Sequence, residues 1–245
     1  MNSHMDDNKV KGFAAAEAST YDEDSLINKG NRLLHRNYLK LFLTYVKTDP
    51  KSFMDLGCGT CYFSEVFTEV FPEIKGLCID GSSEMLAKAR ERFGDRFDYQ
   101  QNLFEEIKWN ELGNNDLIFS ALAIHHMTHE SKWEIFQSIY DNLNDDGIFI
   151  LFDFFKSDDL FENELLEYLS CKNMQTKILE NLGIDFVLDE LKIEKIIEND
   201  RNVKALEGDN EAPLDAQIEN LKKAGFKKVV TIFQDTRLAG IVSYK

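Results

Sequence analysis

Short apolar runs alternate with stretches of helical periodicity along most of the chain. Ser52-Phe53-Met54-Asp55-Leu56 predicts a buried strand that runs into a glycine turn, with a helix from about Tyr62. Gly76-Leu77-Cys78-Ile79-Asp80 predicts a second strand. After it, Ser82 or Ser83 can cap a helix carrying Met85, Leu86 and Ala89 on one face. Residues 97–101, 115–122 and 147–153 predict three more strands, the last introduced by the turn Asn144-Asp145-Asp146-Gly147. A helix over 217–224 closed by Gly225 leads to two final runs, 226–233 and 237–244, broken at Gln234-Asp235-Thr236. Ahead of all this, a long amphipathic helix starts near Leu26, with Leu33, Leu34, Leu41, Phe42 and Tyr45 as its apolar positions. Strands alternating with helices predict an α/β fold on a largely parallel sheet.

The strand ends carry the chemistry. In Asp55-Leu56-Gly57-Cys58-Gly59-Thr60, two glycines let the backbone pass close to a ligand, and the following helix presents free N–H groups. Asp80, at the tip of the next strand roughly 20 residues on, is placed to accept from the two hydroxyls of a ribose. Together these describe a site for an adenosine-containing cofactor. A dinucleotide fingerprint requires a third glycine, where this chain has the bulky Tyr62. A carboxylate at Asp55 would repel a pyrophosphate but suits the cationic amino-acid end of S-adenosylmethionine.

The run Asp-Leu-Gly-Cys-Gly-Thr resembles the first motif of the class I S-adenosylmethionine-dependent methyltransferases, and the resemblance extends over most of the chain. The family usually has Gly where this chain has Cys61. The resemblance implies a Rossmann-like, seven-stranded, mostly parallel sheet ending in a C-terminal antiparallel hairpin, with helices on both faces. It also implies a cofactor site in which Asp55, Gly57, Cys58 and Gly59 hold the methionine end and Asp80, Gly81 and Ser82 the ribose side. Met85, Asn102 and Leu103 would meet the adenine, and Ser120 and Ala121 would border the sulfonium. Phe13, Ala18 and Tyr21-Asp22 resemble the N-terminal segment of small-molecule methyltransferases, where a tyrosine closes over the methionine end; here that is Tyr21.

Four parts follow: 1–48, a leading tag and helical segment; 49–155, the cofactor-binding core; 156–211, a helical insertion; 212–245, the helix and hairpin that complete the sheet. The opening Asn2-Ser3-His4-Met5 reads as a cloning scar. The insertion lies above the carboxyl ends of the strands, where ligands bind in open α/β sheets. It is expected to act as a lid, with Phe154, Phe155 and Phe161 as wall residues, or to dimerise through its apolar face.

His125, His126 and His129 fall just past the fourth strand. Methyl transfer is an in-line displacement, so positioning and exclusion of water supply much of the catalysis. A base is needed only where the acceptor must lose a proton, and His125 or His126 could serve. The same pair could instead hydrogen-bond its loop. A metal reading of His-His-x-x-His with Asp153 or Asp116 specifies no fourth ligand, and none is adopted. Cys58-Gly59-Thr60-Cys61 fits a redox Cys-x-x-Cys, but that reading leaves Asp55 and Asp80 unexplained.

Composition narrows the partners. The formal net charge of −16 disfavours nucleic acid, and Lys222-Lys223 with Lys227-Lys228 is too short for a phosphate-binding stripe. No apolar run approaches the roughly 20 residues that span a bilayer, and no secretory signal is visible. Four cysteines without a disulfide framework point to the cytoplasm. The expectation is a cytoplasmic S-adenosylmethionine-dependent methyltransferase, monomer or homodimer, acting on a small-molecule nitrogen, oxygen or carbon. The alternatives are RNA or protein methylation, or a non-catalytic binder of the cofactor.

Overall fold

The computed structural model describes residues 21–182 and 190–245. Helix α1 (Tyr21–Tyr45) precedes β1 (Ser52–Leu56), α2 (Ser64–Val70), β2 (Lys75–Asp80), α3 (Ser83–Phe93), β3 (Asp98–Gln101) and a short α4 (Trp109–Leu112). Then come β4 (Asn115–Ala121), α5 (His129–Asp141), β5 (Leu143–Lys156), α6 (Leu160–Leu182) and α7 (Glu190–Glu207). Strand β6 (Ala212–Pro213), α8 (Leu214–Ala224), β7 (Lys228–Asp235) and β8 (Leu238–Tyr244) complete the chain. The sheet order is β3-β2-β1-β4-β5-β8-β7, with the two-residue β6 pairing beside β5. Strands β1 to β5 run parallel, and β8 is antiparallel to both β5 and β7. This is the expected α/β sheet with its terminal hairpin.

Side chains alternate across the pleat and sort the core into two layers. Phe53, Leu117, Phe119, Ile148, Ile150 and Phe152 face one side, with Leu39 and Leu43 of α1, Val66 and Phe67 of α2, and Leu86 and Ala89 of α3. Met54, Leu56, Ile118, Phe149 and Leu151 face the other, with Ile135, Phe136 and Ile139 of α5 and Leu221 and Ala224 of α8. The strand order reverses between β1 and β4. Their carboxyl ends therefore form the switch point at which open α/β sheets bind ligands.

Three local readings are corrected. Helix α1 buries His35, Leu39 and Leu43, spaced four apart, with Tyr38 and Phe42 beside them. Leu33, Leu34, Leu41 and Tyr45 are exposed, because a sheet face admits only one narrow stripe and the most leucine-rich side is not that stripe. Helix α2 begins at Ser64 rather than Tyr62. Positive φ at Gly57, Gly59 and Cys61 keeps the loop out of helical geometry for longer. Strand β5 extends back to Leu143, since that residue already pairs with Asn115 before a register shift.

In the insertion, α6 packs on α1 and α7. Arg201 of α7 holds Glu167 of α6 with Nε 3.0 Å from both carboxylate oxygens and Nη2 2.6 Å from one. Buried Arg237, before β8, pairs with buried Glu211 and reaches Glu167 at 3.8 Å. Burial opposes the Glu167 charge, but Arg201, Arg237 and Lys204 outweigh it and lower its pKa. The insertion is thus riveted to the sheet by charge pairs. The periodicity of the insertion predicts helices near 161–182 and 186–198; residues 186–189 of the second lie outside the described residues. Among those described, no helix is long and apolar enough to cross a membrane.

Candidate functional site

The loop after β1 folds back on β2. The amides of Gly57 and Cys58 both donate to the carbonyl of Ile79, at 2.8 and 3.0 Å. Gly59 N–H donates to Asp80 Oδ2 at 2.7 Å, and Ser82 N–H to Asp80 Oδ1 at 2.8 Å. Ser82 also caps α3 by accepting from Met85 N–H. One carboxylate therefore orders the glycine loop and the start of α3 together. Burial pushes the Asp80 pKa up, although both amides favour the charged form.

Gly57 and Gly59 have different reasons to be glycine. A Cβ on Gly57, at φ +72°, would sit 2.4 Å from the Cβ of Ala123 in the loop after β4. A Cβ on Gly59, at φ +54°, would meet nothing within 4 Å. Gly57 seals the two loops against each other, and Gly59 borders open space.

Asn102 follows β3, with its amide 3.1 Å from the Asp80 carbonyl. Its side-chain Oδ1 is buried and has no partner among the described residues. An orphan acceptor beside the Asp80 strand end suits the exocyclic amine of adenine as a donor. Met85 is buried in the first turn of α3, Gly81 and Leu103 are half-buried, and Gln101 bonds the Gly81 carbonyl at 3.3 Å. The open face of Gly59, the anchored Asp80 and the unpartnered Asn102 together fit an adenosyl group.

Other expected contacts are differently engaged. Asp55 is buried, and Ser64 Oγ donates to its Oδ2 at 2.5 Å. Burial above all holds its pKa well above the usual range. It braces the loop from beneath rather than lining the open side. Ser120 is fully buried and donates its hydroxyl to the Leu56 carbonyl at 2.8 Å, tying β4 to the end of β1. Ala121 is half-buried at the end of β4. The side chain of Tyr21, with Phe13 and Ala18, lies outside the described residues. Buried Cys58 and Cys61 lie with Cys78 of β2, their sulfurs all within 4.8 Å of one another. Thiols of Cys58 and Cys78 turned on Cys61 lower its pKa to about 4.

The histidines part company. His125 Nδ1 meets Asp153 Oδ1 at 2.5 Å and its Nε2 lies 3.7 Å from Asp209 Oδ1, with its side chain 5% exposed. Burial alone would lower its pKa, but the Asp153 charge and hydrogen bond, with Asp209, raise it. Both nitrogens of buried His125 face carboxylates, whereas His126 keeps part of its ring exposed. His126 is 24% exposed, with Nδ1 3.0 Å from Asp209 Oδ1. Burial opposes the charge of Asp209, yet His126, His125 and Lys204 hold its pKa low. Asp116 bonds Lys51, Ser52 and Asn144 at the opposite strand end, away from the histidines. Phe154 stacks edge-on to His125, Phe155 is core, and Phe161 is 75% exposed, so it forms no wall.

Sequence reasoning missed the partners of this loop. Asn210 N–H donates to the His125 carbonyl at 2.8 Å, its side chain to the Met127 carbonyl at 3.1 Å, and buried Lys132 reaches its carbonyl. Burial lowers the Lys132 pKa to about 8. The one signal was Gly208, which ends α7 at φ +79° and turns Asp209 and Asn210 inward. Leu122, at φ +55°, had none.

Residues 53–147 match the family described as "Methyltransferase domain". With the sheet order and glycine loop, this match supports a class I S-adenosylmethionine-dependent methyltransferase with S-adenosylmethionine as its cofactor. Among relatives, it is 26% identical to a carboxy-S-adenosyl-L-methionine synthase of Campylobacter lari, over 95% of this chain and 94% of that protein. It is 29% identical to a malonyl-[acyl-carrier protein] O-methyltransferase of Legionella pneumophila, over 48% of this chain and 40% of that protein. A solved O-methyltransferase family protein from Burkholderia thailandensis shares the fold with TM-score 0.62 at 12% identity; the alignment covers 94% of this chain and 62% of that one.

Proposed function

We propose that this enzyme moves the methyl group of S-adenosylmethionine to a nitrogen, oxygen or carbon of a small-molecule acceptor. The observation that carries the reading is Asp80, which holds the amide of open-faced Gly59 through its carboxylate and the amide of Asn102, whose Oδ1 is unpartnered among the described residues, through its carbonyl. The loop from Gly57 to Gly59 receives the methionine end, Asp80 the ribose hydroxyls, and Met85 and Asn102 the adenine. Asp55 holds the loop through Ser64. When bound, the cofactor supplies a methyl carbon made electrophilic by its sulfonium.

His126 faces the acceptor side of the loop after β4 and takes a proton where the acceptor must lose one. Asp209 orients its ring, and the His125–Asp153 pair fixes the backbone from below. The net charge of −16 favours neutral or cationic acceptors over nucleic acid. Helices α6 and α7, tied down by Arg201 and Arg237, form the wall above.

A second reading is supported by the likeness to the Campylobacter lari protein over nearly both whole chains. In it, the product is the cofactor itself carrying an added carboxyl group. The carboxyl group must come from a carboxylic-acid donor and replace a hydrogen of the cofactor's methyl group, so mass spectrometry of nucleosides after incubation with S-adenosylmethionine and separate pools of methyl acceptors and carboxylic-acid donors distinguishes the two. Methyl transfer yields S-adenosylhomocysteine and a methylated acceptor. The second reading yields a sulfonium nucleoside heavier by one carboxyl group. Neither product, from protein that binds the cofactor, would favour a non-catalytic role.

A further inference from the structure

Three of the four cysteines come from two separate elements and meet inside the protein. Cys58 and Cys61 belong to the loop after β1, and Cys78 to β2. Their sulfurs all lie within 4.8 Å of one another, and all three residues are buried. A metal–sulfur bond of about 2.3 Å puts three trigonal sulfurs about 4 Å apart, so little contraction separates this cluster from a coordination set. Cys61 contributes its sulfur from φ +60°, a backbone conformation that any residue with a Cβ adopts only at a cost. A glycine would remove the strain and lose the sulfur. The proposed cofactor role of the loop runs through its backbone from Gly57 to Gly59, and the methyltransferase reading gives the three clustered sulfurs no task of their own.

We propose that Cys58, Cys61 and Cys78 form a buried three-thiolate site for a thiophilic closed-shell cation, zinc or copper(I), directly beneath the glycine loop. Soft thiolates select such ions over hard ones. Each thiol releases its proton to solvent as its bond to the metal forms, so binding strengthens with pH. Ser64, whose Oγ lies 3.7 Å from Cys78 Sγ and 2.5 Å from Asp55, borders the cluster as a polar neighbour. Because two ligands lie in the loop and one in β2, a bound ion would clamp the loop to the strand that presents Asp80.

The test uses the full chain, reduced, stripped with a chelator and titrated with cadmium as a spectroscopic stand-in, followed by zinc competition. One equivalent should bind with thiolate-to-cadmium charge-transfer absorption, and peptide mapping should show Cys58, Cys61 and Cys78 newly protected from alkylation. Cys61→Gly, which suits the local backbone, should keep the circular dichroism of the wild type and lose affinity by about 100-fold or more. Cys171→Ser, on α6, should bind as the wild type does. Failure of the wild type to bind one equivalent, or equal binding by Cys61→Gly, would overturn the proposal. So would a Cys58–Cys61 disulfide that forms on removing reductant in protein that takes up no metal.

Discussion

The carboxylate of Asp80 holds the amide of Gly59 at 2.7 Å across the β1–β2 boundary, and its other oxygen holds the amide of Ser82 at 2.8 Å. The residue expected to grip the ribose is thus already the brace of the loop that receives the methionine end. Asp80→Ala removes both tasks at once. The dissociation constant for S-adenosylmethionine should rise tens- to several hundred-fold, about 2–4 kcal/mol, as read by calorimetry. Unchanged affinity would show that the ligand does not use this strand end.

Gly57 and Cys61 make opposite predictions from the same loop. Gly57→Ala places a methyl where Ala123 already stands, at a φ that disfavours it. It should destabilise the fold by about 1–3 kcal/mol in denaturant titration and weaken cofactor binding. Cys61→Gly exchanges a strained φ of +60° for a relaxed one and loses a small buried side chain. In protein stripped of metal, stability should stay within about 1 kcal/mol of wild type, with cofactor affinity nearly unchanged.

The buried His125–Asp153 pair sets a pH dependence. The folded pKa of His125 lies above its ordinary value, so the proton is bound more tightly in the folded state. Its contribution is fully present below the unfolded pKa, about 6.5, and is lost as pH rises through the raised folded value. Urea titrations from pH 6 to 9 should show this loss in the wild type and not in Asp153→Asn. That variant should itself cost about 3–5 kcal/mol near pH 6, because it strands a buried partner. Identical pH profiles for the two proteins would remove His125 as the source.

His126→Ala tests the proton-transfer role. With an acceptor that must be deprotonated, kcat should fall about 100-fold or more while the affinity for S-adenosylmethionine holds. An acceptor that is already nucleophilic should show little change. A joint loss of cofactor affinity and kcat would instead assign His126 to loop structure.

The cofactor half of this molecule was legible because its strands are apolar runs ended by small or acidic residues. Asp55-Leu56-Gly57 and Asp80 fall at the ends of strands that hydropathy locates, whereas Asn102 follows the polar strand Asp98-Tyr99-Gln100-Gln101 and is marked by the family resemblance. The acceptor half was not. Asp209, Glu211, Lys132 and Arg237 look in the sequence like a solvated acidic stretch and stray cations, yet each is packed into a buried charge network. Burial of charge depends on partners far along the chain, such as Glu167 for Arg237, and no local period announces it. The same holds for His125 and His126. Adjacent in sequence, they differ in the fold: His125 is buried against Asp153 and Asp209, and His126 is partly exposed beside Asp209 alone. In α1, the buried stripe of Leu39 and Leu43 was chosen by the sheet and not by the richest run of leucines.

The central claim is that the loop from Gly57 to Gly59, Asp80 and Asn102 form an S-adenosylmethionine site. Calorimetric titration of the wild type with S-adenosylmethionine, S-adenosylhomocysteine and NAD in parallel tests it most directly. The account predicts micromolar binding of both sulfur nucleosides, one per chain, and none of NAD. Binding of NAD alone, or of none of the three, would contradict it.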